Sequence, residues 1–144
     1  MRILPSRPKV NMDPVYEPFF TALANGEFQL LRCAECGEWY WPVAYCRNHN
    51  NLPFLGNMQW ERASGKGSVF TYNVQHIAFD SAFKGQLPLV YALVELDEGP
   101  LFASNVVDCP PDDVSVGMAV EVEIAQVNSH EDYFLPVFHP AQPA

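Results

Sequence analysis

The sequence predicts a mainly β protein with a short N-terminal helical segment, a zinc ribbon and a C-terminal five-stranded OB-fold barrel. Three observations carry that expectation. Cysteines recur as Cys33-x-x-Cys36 and, nine residues later, Cys46-x-x-His49. From Gly65 onward, apolar and polar residues alternate in five separate runs. Ahead of both, residues 13–26 place apolar side chains at helical spacing. The predicted divisions are residues 1–27 for the N-terminal extension and helix, 28–60 for the ribbon and 61–144 for the barrel.

In the first region Asp13 can cap a helix, Pro14 suits its first position, and Asn25-Gly26 supplies its stop. Val15, Phe19, Phe20 and Leu23 fall on one side, although Pro18 lies within the first turn or so. That face either packs on the chain's own core or docks onto a partner.

In the second region, "EFQLLRC" and "EWYWPVAYC" can form short strands around a metal, with "NMQWE" as a third and the turn-rich "RNHNNLPFLGN" between. Two doublets with a short spacer are the pattern of a tetrahedral metal site, because each turn presents two ligands at the right separation. Gly37, directly after Cys36, fits a knuckle that needs positive φ. The expected ligands are Cys33, Cys36, Cys46 and His49; His76, His130 and Cys109 could reach the site only by folding back. Four protein ligands leave no open position, so the zinc would be structural, and an iron centre for electron transfer would ordinarily want a fourth thiolate. A unit of ~30 residues lacks a sufficient apolar core and needs the metal or a neighbour to fold.

In the third region, the runs "GSVFTYNVQH", "LVYALVELDEG", "PLFASNVVD", "MAVEVEIA" and "YFLPVFHP" are separated by Gly, Pro, Asp or Asn turns. The fourth is clearest. Met118, Val120, Val122 and Ile124 alternate with Ala119, Glu121, Glu123 and Ala125, predicting one buried and one wet face. Five strands without a strong intervening helix close most simply as an OB-fold, with the gap at 108–117 between its third and fourth strands.

Composition narrows the function. Among 144 residues, 49% are hydrophobic and 17% charged, which is the balance of a folded domain. The start carries no signal-peptide core, and no apolar run approaches ~20 residues, so a cytoplasmic protein without a membrane role is expected. All eight Lys and Arg residues precede residue 85, and residues 85–144 carry ten acids. Such a field repels phosphate backbones, which disfavours nucleic acid as a partner. No nucleophile, base and orienting group stand together in sequence. Ser64, Ser68 and Ser104 lack elbow turns, and His76 sits in the apolar "VQHIAF". The chain is therefore not expected to be an enzyme on its own.

Read together, "PFFTALANGEFQLLRCAECGEWYWP", "SGKGSVFTYNVQH", "PLVYALVELDEG", "VGMAVEVEI" and "LPVFHP" run through most of residues 16–140. In order and spacing they resemble the family catalogued as domain of unknown function thirty-five. The resemblance implies a rubredoxin-like zinc ribbon joined to an OB-fold in a non-catalytic accessory subunit of thiolase-like acyl-CoA enzymes. Such complexes carry out thiolysis or retro-aldol and Claisen chemistry on aromatic, steroid or fatty acyl-CoA. The barrel would help form a coenzyme A channel, and coenzyme A or acyl-CoA would be shared with the partner, which supplies the catalytic groups. The sequence departs from that pattern at His49, where cysteine is commoner, and at His139, where arginine is frequent.

Coenzyme A asks for cations near its phosphates and a narrow apolar groove. Arg62, Lys66 and Lys84 gather around the ribbon–barrel junction and the first long loop. Phe70, Tyr72, Val74 and His76 share one face of the first barrel strand, and Tyr91 can lie near them on the second. Taken singly, each reads first as surface charge or barrel core; it is the grouping of the cations, none of which occurs later, that points to coenzyme A. For the partner, the expected docking residues are Tyr16, Phe19, Phe20, Leu23, Trp39 and Trp41. The alternatives are a single-stranded nucleic-acid module, because OB barrels with aromatic faces bind such strands, and an autonomous acyl-CoA-binding protein.

Overall fold

The computed structural model describes residues 2–8, 11, 13–49, 56–127 and 130–142, and of residues 130–132 the backbone alone. The predicted linker between the two halves of the ribbon falls in part outside the described residues. Within them the elements run β1 (Arg2–Leu4), α1 (Glu17–Ala24), β2 (Gln29–Cys33), β3 (Trp39–Tyr40), β4 (Met58–Arg62), β5 (Lys66–Gln75), β6 (Leu89–Leu96), β7 (Leu101–Asn105), β8 (Ala119–Val127) and β9 (His130–Pro140).

The five expected barrel strands all form. β5 pairs antiparallel with β6 and β8, β6 with β7, and β8 with β9. A bridge between Val106 and Phe138 closes the circuit from β7 to β9, reinforced by the Val107 amide donating to the Phe138 carbonyl at 2.7 Å. The path β5-β6-β7-β9-β8 and back to β5 is that of an OB-fold. β6 shows why it closes. Val90, Ala92, Val94 and Leu96 turn inward, and Tyr91 and Glu95 outward.

Two expectations change. β8 is not simply wet on one face: Ala125 is wholly buried, in a small cluster with Leu4 and Val137. The cause is β1, which lies parallel to the end of β8, Arg2 opposite Ala125 and Leu4 opposite Val127. Arg2 anchors it through Glu123, at 2.8 Å, and Asp108. The helix also starts later than Asp13 and Pro14 suggest. The Asp13 carboxylate accepts the Val15 amide at 2.8 Å, and its carbonyl accepts the amides of Tyr16 and Glu17, which makes a separate turn. Pro18 then falls at one of the first two helical positions, where a missing N–H breaks no helical bond. The end is as expected: amides of Gly26 and Glu27 close onto carbonyls of Leu23 and Ala22.

The helix packs inward. Phe19 and Leu23 are 2% and 0% exposed, in the same core as Phe28 and Leu30 of the ribbon side and Val94, Phe102 and Phe138 of the barrel. Phe19 lies 4.4 Å from Trp41 between ring centroids, and Trp41 stacks on Phe102 at 5.0 Å. These rings weld helix, ribbon and barrel into one core. The ribbon sheet, β3-β2-β4, is thus supported by a neighbour. Its second strand is only two residues long, because Pro42 has no amide to continue the ladder.

Candidate functional site

β2 ends at Cys33, and a tight turn brings Cys36 back beside it. The Gly37 amide donates to the Cys33 carbonyl at 2.9 Å, and the Cys36 amide reaches the Cys33 sulfur at 3.5 Å. Gly37 has φ of 77°, and the Arg32 guanidinium would lie 3.3 Å from a Cβ there. A second turn after β3 repeats the arrangement, with the His49 amide donating to the Cys46 carbonyl at 3.2 Å.

The turns face each other. His49 Nδ1 lies 3.4 Å from the Cys33 sulfur and 3.3 Å from that of Cys46, and the sulfurs of Cys36 and Cys46 are 3.5 Å apart. All four ligand atoms fall within 4.8 Å of one another. A tetrahedron with metal–sulfur bonds of ~2.3 Å and metal–nitrogen bonds of ~2.05 Å has edges of roughly 3.5–3.8 Å. The donor set and its spacing fit a metal such as zinc.

Neighbouring groups complete the site. Glu35 lies 3.1 Å from His49 Nε2, so an N–H on that nitrogen meets a carboxylate and Nδ1 keeps its lone pair toward the sulfurs. The Asn57 side-chain amide donates to the Cys33 sulfur at 3.1 Å, and the Tyr40 hydroxyl lies 3.5 Å from that of Cys46. Burial pushes the Cys46 thiol up, but contacts with the Tyr40 hydroxyl, the Asn48 amide and His49 more than reverse this, bringing it to about 6. Burial likewise raises Cys33, and the amides of Cys36 and Glu35 bring it below the usual thiol value. The supporting residues escaped the sequence reading, although Glu35 stands inside the first doublet.

The other candidate residues are dispersed. Arg62 ends β4 and Lys66 opens β5, both exposed. Phe70 sits at an irregularity between Val69 and Thr71 and is 50% exposed, whereas Tyr72 and Val74 pack against the barrel core. The expected common face of β5 is therefore broken, because a bulge inverts the alternation of side chains. His76 is exposed just past β5, and Lys84 follows a short 3-10 turn at Ser81–Phe83. Tyr91, on the outer face of β6, stands opposite Asn73.

Of the docking candidates, Phe19 and Leu23 are buried in the chain's own core. Tyr16, Phe20, Trp39 and Trp41 remain part-exposed. The Tyr16 hydroxyl donates to the Pro42 carbonyl at 2.6 Å, fastening the helix entrance to the ribbon. Trp39 and Trp41 line a cavity of about 570 Å³ that continues over Val43 and Tyr45 to the β6–β7 turn at Glu98–Pro100. No helix among the described residues is long and apolar enough to cross a membrane.

Comparison with known proteins yields consistent matches. Residues 60–125 match the family model described as the C-terminal OB-fold domain of ChsH2. A DUF35 domain-containing scaffold protein of Methanocaldococcus jannaschii is 36% identical over 106 residues, which is 71% of this chain and 70% of that protein. A probable enoyl-CoA hydratase alpha subunit of Thermomonospora curvata is 33% identical over 99% of this chain, which spans 42% of that protein's length. Among solved structures, a chain of the Ltp2–ChsH2(DUF35) aldolase superposes with a TM-score of 0.75 and 32% identity, covering 94% of this chain and 100% of that one.

Proposed function

This chain belongs to the DUF35 family, and from that premise we propose that it is a non-catalytic scaffold subunit of a thiolase-like acyl-CoA enzyme. The observation that carries the reading is its likeness to the chain of the Ltp2–ChsH2(DUF35) aldolase, which extends over all of that chain and 94% of this one. The likeness to an enoyl-CoA hydratase subunit supports an acyl-CoA setting, and that to scaffold proteins supports a structural role.

On this reading Cys33, Cys36 and Cys46, through sulfur, and His49, through Nδ1, hold one structural zinc. When bound, it supplies a cross-link and two positive charges that offset the thiolates. The chain's own residues do the rest. Glu35 fixes the imidazole, Asn57 and Tyr40 steady two sulfurs, and the ribbon presents a rigid surface around Trp39, Trp41, Val43 and Tyr45. That surface, with Tyr16 and Phe20, is the proposed docking face. Aromatic and aliphatic side chains part-exposed around a concavity are what a partner's apolar anchors require.

The coenzyme A contribution falls to Arg62, Lys66 and Lys84, exposed cations on a chain of net charge −9. Of the aromatic candidates, the exposed Phe70, His76 and Tyr91 would flank the pantetheine, with Tyr72 supporting them from the barrel core. The division at residues 28 and 61 belongs to the same reading: ribbon for docking, barrel for the coenzyme path.

The test is co-expression with a thiolase-like acyl-CoA enzyme from the same organism. We expect a complex that survives gel filtration, and acyl-CoA carbon–carbon bond cleavage or formation that falls sharply without this chain. A partner that forms no complex and is fully active unaided overturns the reading.

A further inference from the structure

We propose that a second cavity, of about 420 Å³ between the N-terminal segment, α1 and the β7–β9 seam, binds an amphipathic monocarboxylate through the guanidinium of Arg7. Arg7 is 7% exposed, and arginine is almost never so buried without a charged partner. Among the described residues its partners are neutral. Nη1 donates to the Ser6 carbonyl at 3.1 Å and to the Gln86 side-chain oxygen, and the group lies 5.1 Å from the centre of the Phe83 ring. Gln86 itself donates to the carbonyls of Ser6 and Ala82, at 3.1 and 2.6 Å, so the loop after β5 clasps the N-terminal segment around the cation. Both hydrogen bonds use one nitrogen of a five-donor fork, and Nε and Nη2 make none among the described residues.

The remaining walls are apolar. Rings of Phe19, Phe20, Trp41, Phe83 and Phe102 line the cavity, and among the described residues Arg7 is the one charged side chain in the lining. Two of the polar side chains in the described lining are already engaged. The Ser104 hydroxyl donates to the Pro136 carbonyl at 2.8 Å, and the Asn105 amide to the Val90 carbonyl at 3.0 Å. The volume falls within the ~300–1,000 Å³ of small-molecule sites. A single planar fork matches one carboxylate, whereas the diphosphate and 3′-phosphate of coenzyme A call for several cations. The aromatic walls call for an apolar body behind the charge. Burial draws the Arg7 guanidinium below its ordinary value, and a bound carboxylate would relieve that cost. None of the four metal-cluster residues lines this cavity, which borders the proposed docking face at Phe20 and Trp41 and the proposed coenzyme path at Tyr91.

The test is calorimetric titration of the full chain with cinnamate and decanoate, each against its uncharged amide. At least one acid is expected to bind roughly tenfold or more tightly than its amide. Arg7→Met should remove that preference while leaving the melting temperature measurable. Ala103→Phe, which fills the cavity mouth and keeps Arg7, should abolish binding, and it serves alone if Arg7→Met fails to fold. Acids and amides binding alike, acid binding indifferent to either variant, or no binding of either acid to the folded wild type would each overturn the proposal.

Discussion

At the scale of single residues, the unusual member of the candidate metal cluster is His49. Replacing one thiolate by imidazole leaves the site one unit less negative, and the neutral ring must be free of a proton on the coordinating nitrogen. The purified protein should contain close to one zinc per chain by elemental analysis. His49→Ala is expected to loosen the metal far less than Cys36→Ala in competition with a chromophoric chelator; negligible effects of both would mean that no site exists. Glu35, 3.1 Å from His49 Nε2, should matter indirectly, with Glu35→Ala lowering metal affinity roughly 10–100-fold. Affinity should also fall as the solution is acidified, because protons compete for three sulfurs and one nitrogen. Outside the site, a Cβ on Gly65 would lie 2.3 Å from Val122 Cγ1, at φ of 74°. Gly65→Ala should therefore cost roughly 1–3 kcal/mol in denaturant unfolding; an unchanged midpoint would show that the ribbon–barrel junction yields easily.

At the scale of elements, α1 was ambiguous in sequence between a core helix and a docking helix, because periodicity identifies an apolar face but not its neighbour. The fold divides the roles. Phe19 and Leu23 are internal, while Tyr16 and Phe20 sit at the part-exposed edge beside Trp41. Phe19→Ala is expected to destabilise the isolated chain by about 3–5 kcal/mol, whereas Phe20→Ala should act more on complex formation. Comparing the two by melting temperature and by partner pull-down separates them. β1 was missed altogether, since three residues carry no readable period. Its Leu4, 4% exposed over Ala125 and Val137, should nonetheless cost roughly 2 kcal/mol or more when cut to alanine.

At the scale of the whole molecule, the shared core decides how much depends on metal. Phe28 and Leu30 reach from the ribbon side into the barrel's own cluster, so a chelator should release the zinc and lower the melting temperature without unfolding the barrel. Retention of the β-sheet circular dichroism signal checks this; complete unfolding would mean that the metal holds the whole chain. Much of this organisation is legible in one dimension. The four residues of the candidate metal cluster are fixed by short spacings within two turns, and the five barrel strands by period-two alternation, both of which are local properties of the chain. What sequence could not decide are the meetings of distant segments: β1 laid along β8, the aromatic seam joining Phe19, Trp41 and Phe102, and Arg7 enclosed by Gln86 and Phe83. Those depend on long-range packing, in which any apolar face can find several partners and burial selects one. The sequence by itself determined the kinds of unit and the four residues that cluster as candidate metal ligands. Only the tertiary structure decided which aromatic side chains remain part-exposed, and that Arg7 lies buried in a largely aromatic cavity.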